Sequence, residues 1–359
     1  MTEFKIGLAI ETSCDDTSVA LVRSDGFVLS QLSANQDSEH LPFGGVVPEI
    51  ASRNHTLALL PLIDQLLKSQ NLNGKDLSVI CVTNRPGLVG SLLVGLVTAK
   101  TLSILWDIPF VGVNHLEGHL LAPWLSDESY QPKTLLADSL PSLVLAVSGG
   151  HTHLCEISEL GSYKILGQSL DDAAGEALDK FAKELGLGFP GGAKLDAWAR
   201  QGDAHKFQFS TGLKNKGLNF SFSGTKASAL RLLEKMSPQD IDSEIYNLCA
   251  SYEKNVIDVL FEKLKVACQL NEYKSIALTG GVSANTYLRK SALKLSDELD
   301  KPILIPPLKY CTDNAAMIGF AGIKRFLQGE KALQNLAPFP RSLEDDFTYA
   351  KQEVRLGNN

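Results

Sequence analysis

Short, fully apolar runs recur at wide intervals along this chain, and each ends in a turn rich in Gly, Ser, Thr or Asp. Ile6 to Ile10 is followed by Glu11-Thr12-Ser13-Cys14-Asp15-Asp16-Thr17-Ser18 and then by Val19 to Val22, which predicts strand, tight polar turn, strand. Leu143 to Val147 repeats the arrangement through Ser148-Gly149-Gly150-His151-Thr152-His153 and a second strand. In the first third, Pro42-Phe43-Gly44-Gly45-Val46-Val47-Pro48-Glu49 feeds a helix through Arg53, His55 and the spacing Leu57, Leu60, Ile63, Leu67. Val79 to Thr83 reads as a strand, Arg85-Pro86-Gly87 as a turn, and Ser91 to Leu105 as a buried helix. Val111 to Val113 is a strand that enters a helix at His115, closed by Pro123. Later come a long amphipathic helix from Ser251 to Leu270 and a strand from Ser275 to Thr279 ending in Gly280-Gly281. Ile303 to Ile305 is a further apolar run, and a small-residue helix runs from Ala315 to Phe326. Strands alternating with helices predict an α/β fold. Two hairpins, each opening one half of the chain, predict a duplication with a phosphate gripped between the halves.

Composition narrows the picture. A length of 359 residues suggests about two domains. A hydrophobic content of 44% with 21% charged residues describes a folded soluble protein. The net charge of −7 excludes a global positive field and argues against a nucleic-acid coat protein. An RNA-modifying enzyme needs only a local basic rim and stays open. Six scattered cysteines without a Cys-x-x-Cys read as reduced thiols. No signal-like segment precedes the first strand, and the apolar tract from Gly87 to Ala99 is too short to span a bilayer. The expected location is cytoplasmic, without a membrane partner.

His115 and His119 are the sharpest chemical signal. Four residues apart on a helix, they share one face and offer two imidazoles to one metal. In the zinc-protease motif a glutamate follows the first histidine directly. Here Glu117 lies about 200° around the helix, too far to polarise a metal-bound water. His151 and His153 are a second, weaker pair on one strand face. Asp313 is either a plain helix N-cap or a carboxylate completing a metal site. The glycine turns at Ser148–Gly150 and Gly280–Asn285 let the backbone approach a phosphate. Asp171 to Lys180 is an acid-rich helix start, and Phe189-Pro190-Gly191-Gly192 turns the chain before Asp196. Asp179 and Asp196 flank that turn and suit ribose or threonine hydroxyls, or simple helix charge patterning. Lys214, Lys216, Lys226 and Arg231 surround Phe220-Ser221-Phe222-Ser223-Gly224, either an RNA-contacting patch or a solvated basic face.

Taken together, in this order, these stretches resemble the tRNA N6-adenosine threonylcarbamoyltransferase family, in its bacterial and organellar branch, formerly labelled O-sialoglycoprotein endopeptidases. The resemblance rests on Ile10 to Thr17, Gly44 to Glu49, Pro86 to Gly90, His115 to Pro123, Val147 to Thr152, Asp171 to Lys180, Ser221 to Gly224, Gly280 to Asn285 and Thr312 to Met317. It implies a two-lobed actin-like/Hsp70-like ATPase fold, a duplicated mixed sheet with flanking helices. The expected limits are 1–112 plus 312–345 for lobe I, 113–311 for lobe II with most metal and nucleotide contacts, and 346–359 for a tail. The implied reaction moves a threonylcarbamoyl group from threonylcarbamoyl-adenylate to N6 of adenosine 37 in tRNAs reading ANN codons, forming t6A. His115, His119 and Asp313 would hold one divalent metal, Fe(II) rather than Zn(II). Ala146, Val147, Ser148, Gly149, Gly150, Asp179, Gly192, Asp196 and Asn285 would hold the adenylate with its ATP-derived AMP moiety. The implied partners are tRNA, an inactive paralogue subunit and a small P-loop ATPase. The general base stays unassigned, with Glu11 or Asp16 as candidates. Arg85, His153 and Thr225 depart from the family pattern. A metallopeptidase and a small-molecule kinase of the same fold are the alternatives.

Overall fold

The computed structural model describes residues 4–43, 45–188, 190–213, 216–343 and 346–349. Gly44, Phe189, Lys214 and most of the expected tail therefore lie outside the described residues. The chain divides into two compact units, Met1–Leu135 with Pro306–Asp346 and Leu136–Ile305 with Phe347–Asn359. The first boundary thus falls after Leu135, not after residue 112. The stretch carrying His115 and His119 belongs to the first unit because its helix packs on the helix that follows Asp313.

Unit 1 holds β1 (Ile6–Glu11), β2 (Thr17–Arg23), β3 (Val28–Ala34), a one-turn α1 (Asp37–His40), α2 (Pro48–Ser69), β4 (Val79–Arg85), α3 (Val89–Trp106), β5 (Phe110–Asn114) and α4 (His115–Leu121). Its sheet order is β3-β2-β1-β4-β5. The β1–β2 and β2–β3 pairs are antiparallel, and β1–β4 and β4–β5 are parallel. Leu8 and Ile10 of β1 pack with Leu59, Ile63 and Leu66 of α2 and Leu96, Ala99 and Leu102 of α3. Each such buried Leu or Ile contributes about 1.5–3 kcal/mol. α2 is rotated from the expected face. Leu57 and Leu60 are exposed, while Ala51, His55, Leu59, Ile63 and Leu66 are buried. α3 is 18 residues long and, by length and composition, apolar enough to cross a membrane, contrary to the shorter tract expected. Leu92, Leu96 and Leu102 are nonetheless buried in this unit, while Val89, Leu93, Val97, Ile104 and Leu105 are exposed.

The strands' alternate residues meet α11 (Ala315–Leu327). A Cβ on Gly319 would stand 2.7 Å from Val22 Cγ2, and one on Gly322 would stand 2.5 Å from Cys81 Sγ. Glycine at these two positions lets α11 lie directly on the sheet. The helix gives up side-chain burial and gains a fixed depth.

Unit 2 repeats the plan. It holds α5 (Leu136–Ser139), β6 (Ser142–Val147), β7 (Thr152–Glu159), β8 (Ser162–Gln168), α6 (Ala174–Glu184), α7 (Gly192–Ala199), α8 (Ser223–Leu233), α9 (Pro238–Leu270), β9 (Ser275–Thr279), α10 (Thr286–Leu299), β10 (Ile303–Leu304) and β11 (Thr348–Tyr349). The order is β10-β9-β6-β7-β8-β11. Apart from β11 this is the order of unit 1 read from the other edge, with the same antiparallel hairpins and the same parallel partners. The duplication expected from the two hairpins is therefore present. α9 starts earlier than its apolar stripe implied. Ser237 Oγ accepts from Asp240 N at 3.1 Å and starts the helix well ahead of its first fully buried residue, Leu248.

Candidate functional site

In unit 1 the site is built on two capped helices. β5 ends at Asn114, whose Oδ1 accepts from Leu116 N at 2.8 Å and starts α4 at His115. At α11 the capping role falls to Asn314, whose Oδ1 accepts from Met317 N at 3.0 Å. Asp313 is therefore not the N-cap, and its carboxylate is left for other work. Gly118 lets the two helices touch: a Cβ there would lie 2.8 Å from Ile318 Cδ1.

The result is a triangle of donors. His115 Nε2 and His119 Nε2 are 3.1 Å apart. His119 Nε2 lies 3.0 Å from Asp313 Oδ1 and His115 Nε2 lies 3.3 Å from it. Among the described residues these three form the one cluster suited to a metal ion. The imidazoles are buried, while the Asp313 side chain is 37% exposed and forms the open edge. Behind His115, its Nδ1 lies 3.1 Å from Glu11 Oε2 and 3.2 Å from Ser13 Oγ. A carboxylate on Nδ1 favours the proton there and turns the Nε2 lone pair toward the triangle. Burial opposes charging His115, but Asp313 and Glu11 outweigh it and lift its pKa well above the usual value. Burial likewise opposes the Asp313 carboxylate, yet the two imidazoles hold its pKa well below the ordinary range. The cluster thus draws positive charge to itself. Donors about 2.1 Å from one ion stand about 3.0 Å apart at right angles and about 3.4 Å apart at tetrahedral angles. The observed spacings fit a single divalent ion, closer to the right-angled arrangement.

Glu11 is not free to be a base. Besides His115, it accepts from Ser13 N at 2.6 Å and from Thr83 Oγ1 at 2.5 Å. Asp16, at the same turn, is pushed up to about 6 by burial and then by Asp15. His55, which sequence reasoning had treated as a helix position only, braces this turn through Thr17 Oγ1 at 2.7 Å and Cys14 O at 3.0 Å. Glu117 accepts from Arg325 Nε at 2.7 Å, away from the triangle, as its helical position implied.

In unit 2 the Ala146 to Gly150 turn ends β6. Ser148 N donates to His151 O at 2.8 Å. Two glycines let other elements close on it. A Cβ on Gly175 would stand 2.5 Å from Ser148 O, and one on Gly280, at φ +87°, would stand 2.4 Å from Val147 O. These contacts gather the start of α6, the turn after β9 and the β6 turn at one end of the sheet. Gly149 and Gly150 themselves face open space. Asp179 Oδ1 accepts from Gly191 N at 2.9 Å and from Gly192 N at 2.7 Å, which seats the start of α7. Asp196 accepts from Thr286 N at 2.9 Å and from Thr286 Oγ1 at 3.0 Å. Asn285 Oδ1 caps α10 through Leu288 N at 2.9 Å, and its Nδ2 donates to Glu253 Oε1 at 2.5 Å.

Two of the alternatives left open by the sequence lose support. Phe220 and Phe222 are fully buried and cannot stack on RNA bases, and Lys226 pairs with Asp172. His151 and His153 have ring centroids 5.6 Å apart, but no third ligand joins them among the described residues. Burial moves His153 down to about 4.

The family model for tRNA N6-adenosine threonylcarbamoyltransferase (TsaD) matches residues 27–320. The chain is 51% identical over 341 residues to the protein of that name from Bdellovibrio bacteriovorus, covering 95% of this chain and 98% of that one. It is 44% identical over 338 residues to the Thermosipho africanus protein of the same name, covering 93% and 98%. Among solved structures, T. kodakarensis HypF matches with TM-score 0.60 at 14% identity, over 91% of this chain and 48% of that one. That likeness concerns the fold alone, the actin-like ATPase fold.

Proposed function

The chain belongs to the tRNA N6-adenosine threonylcarbamoyltransferase family, and from that premise we propose how its residues divide the work. It is an acyltransferase that forms t6A on tRNA. The acceptor is N6 of adenosine 37 in tRNAs reading ANN codons, and the donor is threonylcarbamoyl-adenylate. The bond from N6 to the carbamoyl carbon forms as the bond from that carbon to the AMP phosphate oxygen breaks. AMP leaves with the electron pair, and N6 gives up one proton.

His115, His119 and Asp313 hold one divalent metal; the observation that carries this is the 3.0–3.3 Å triangle of their donor atoms. Two imidazoles and one carboxylate leave coordination positions open, the donor set that suits Fe(II) in preference to Zn(II). When bound, the ion supplies Lewis acidity toward the acyl donor. Glu11 orients His115. Asp16, raised to about 6, is the better of the two carboxylates to take the N6 proton. The backbone of Ala146 to Gly150 holds the AMP phosphate, helped by the open space beside Gly149 and Gly150. Asp179, Gly192, Asp196 and Asn285 hold its nucleoside.

An inactive paralogue binds the exposed apolar residues of α2 and α3, including Leu57, Leu60, Leu93 and Val97. The P-loop ATPase partner rests on the family resemblance alone. A cytoplasmic location suits a tRNA substrate and six free cysteines. No observation favours a peptidase, since Glu117 is committed to Arg325. The kinase alternative likewise leaves the donor triangle without a task.

The test is nucleoside analysis of tRNA incubated with labelled threonine, ATP, bicarbonate, the adenylate-forming synthase and both helpers. Wild type yields labelled t6A and His115→Ala does not. Equal label from both removes the metal's role. No label from wild type, with the other components active on a known partner, overturns the reading.

A further inference from the structure

Glu253 lies on the inward side of α9 and is 4% exposed. Its partners are an amide and a second carboxyl. Oε1 accepts from Asn285 Nδ2 at 2.5 Å, and Asp196 lies within hydrogen-bonding reach of the same group. Asp196 in turn accepts twice from Thr286, the residue after Asn285. The bonds form a chain: Glu253 to Asn285, along the backbone to Thr286, and on to Asp196, which also accepts from Arg200 Nη2 at 2.5 Å. Three elements, α7, α9 and the start of α10, are fixed to one another through it.

We propose that Glu253 is a positioning residue for the nucleoside of the adenylate, tying Asn285 and Asp196 into one hydrogen-bonded network before the substrate arrives. This rests on the reading of Asn285 and Asp196 as nucleoside contacts. The Asn285 amide cannot rotate freely, because its oxygen caps α10 and its nitrogen binds Glu253. Its remaining N–H and lone pair are therefore presented in one direction. Preorganisation of this kind removes the ordering cost from binding.

The network is held best when Glu253 keeps its proton. Burial, with the adjacent Asp196 adding to it, pushes Glu253 up to about 8. A protonated Glu253 donates to Asp196, whereas a deprotonated one sets two buried carboxylates side by side. The charged or titratable groups that face Glu253 are Asp196 and Arg200 of α7, Tyr287 of α10 and Cys249 on its own helix. Burial raises Tyr287 beyond its ordinary range and Cys249 to about 12, so neither titrates near pH 8. A positioning role of this kind acts on binding and not on the chemical step.

The experiment titrates AMP into the intact chain by calorimetry at about pH 7 and about pH 9, for wild type, Glu253→Gln, Glu253→Ala and Asn285→Ala. Steady-state transfer is followed in parallel. Glu253→Ala weakens AMP binding and raises KM for the adenylate about tenfold, with kcat held within about twofold. Wild-type affinity falls from pH 7 to pH 9. Glu253→Gln, neutral at both, matches wild type at pH 7 and loses that fall. It also keeps the test open if the alanine variant does not fold. An affinity equal in wild type at both pH values overturns the inference. So does wild-type binding by Glu253→Ala while Asn285→Ala is weakened, and the nucleoside reading then stands. If Asn285→Ala binds AMP as wild type does, that reading fails and carries the inference down with it.

Discussion

The two hairpin turns occupy equivalent places in equivalent sheets, yet they are finished in opposite ways. In unit 1 the turn after β1 is packed shut. A Cβ on Gly87 would stand 2.5 Å from Ser13 O, and one on Gly95 would stand 2.5 Å from Thr12 Oγ1. Its polar groups point inward, with Glu11 and Ser13 on His115. In unit 2 the turn after β6 is approached from behind by Gly175 and Gly280, while Gly149 and Gly150 face open space. One copy of the plan has become a brace for the buried imidazole of His115 and the other a bare backbone surface. Duplication supplied the scaffold, and the placement of glycines decided which side of each turn stayed accessible.

The comparison is broken most severely by removing a donor. Asp313→Ala is expected to cut bound metal to a small fraction of one per chain and to lower transfer by more than about a hundredfold. Metal analysis of the purified protein checks the first and nucleoside analysis the second. Glu11→Gln keeps the shape but weakens the hold on His115 Nδ1. Metal affinity should fall about 10–100-fold with folding intact, measured by competition with a chelator. Gly118→Ala forces α4 and α11 apart at Ile318. It should destabilise unit 1 by about 1–3 kcal/mol in denaturant titration and lower metal affinity as well. Gly149→Ala sharpens the contrast, because the free chain has room for the methyl. Thermal stability should be unchanged while AMP binding weakens. The smallest effect concerns Glu253. Its folded pKa is raised from 4.5 to about 8, so the folded state binds the extra proton and loses stability as pH rises across that window. Glu253→Gln should therefore gain a few degrees of Tm on wild type as pH goes from about 6 to about 9.

Strands β1, β2, β4, β5, β6, β9 and β10 were legible as apolar runs, whereas β3 and β8 mix polar and apolar residues and went unread. The two histidines stood out because a spacing of four puts them on one helix face, although two surface histidines would show the same spacing. Other features were hidden for physical reasons. Gly118, Gly319 and Gly322 read as weak points in helices, whereas each marks a close approach to a partner distant in sequence. α2 carries leucines on two faces, and spacing alone chose the exposed Leu57 and Leu60. Phe220 and Phe222 have cationic neighbours in sequence but are enclosed in the core of unit 2. Glu253 falls on the apolar stripe of α9 with Cys249, Val256 and Leu260, a charged residue where the spacing calls for a core one. Only the fold reveals Asn285 and Asp196 beside it.

The most direct measurement is metal content and AMP affinity on the same two preparations, His115→Ala and Asn285→Ala. The account predicts a double dissociation. His115→Ala loses the metal and binds AMP as wild type does, and Asn285→Ala keeps the metal and loses AMP. If either folded variant loses both ligands, the division of labour between the two units is contradicted.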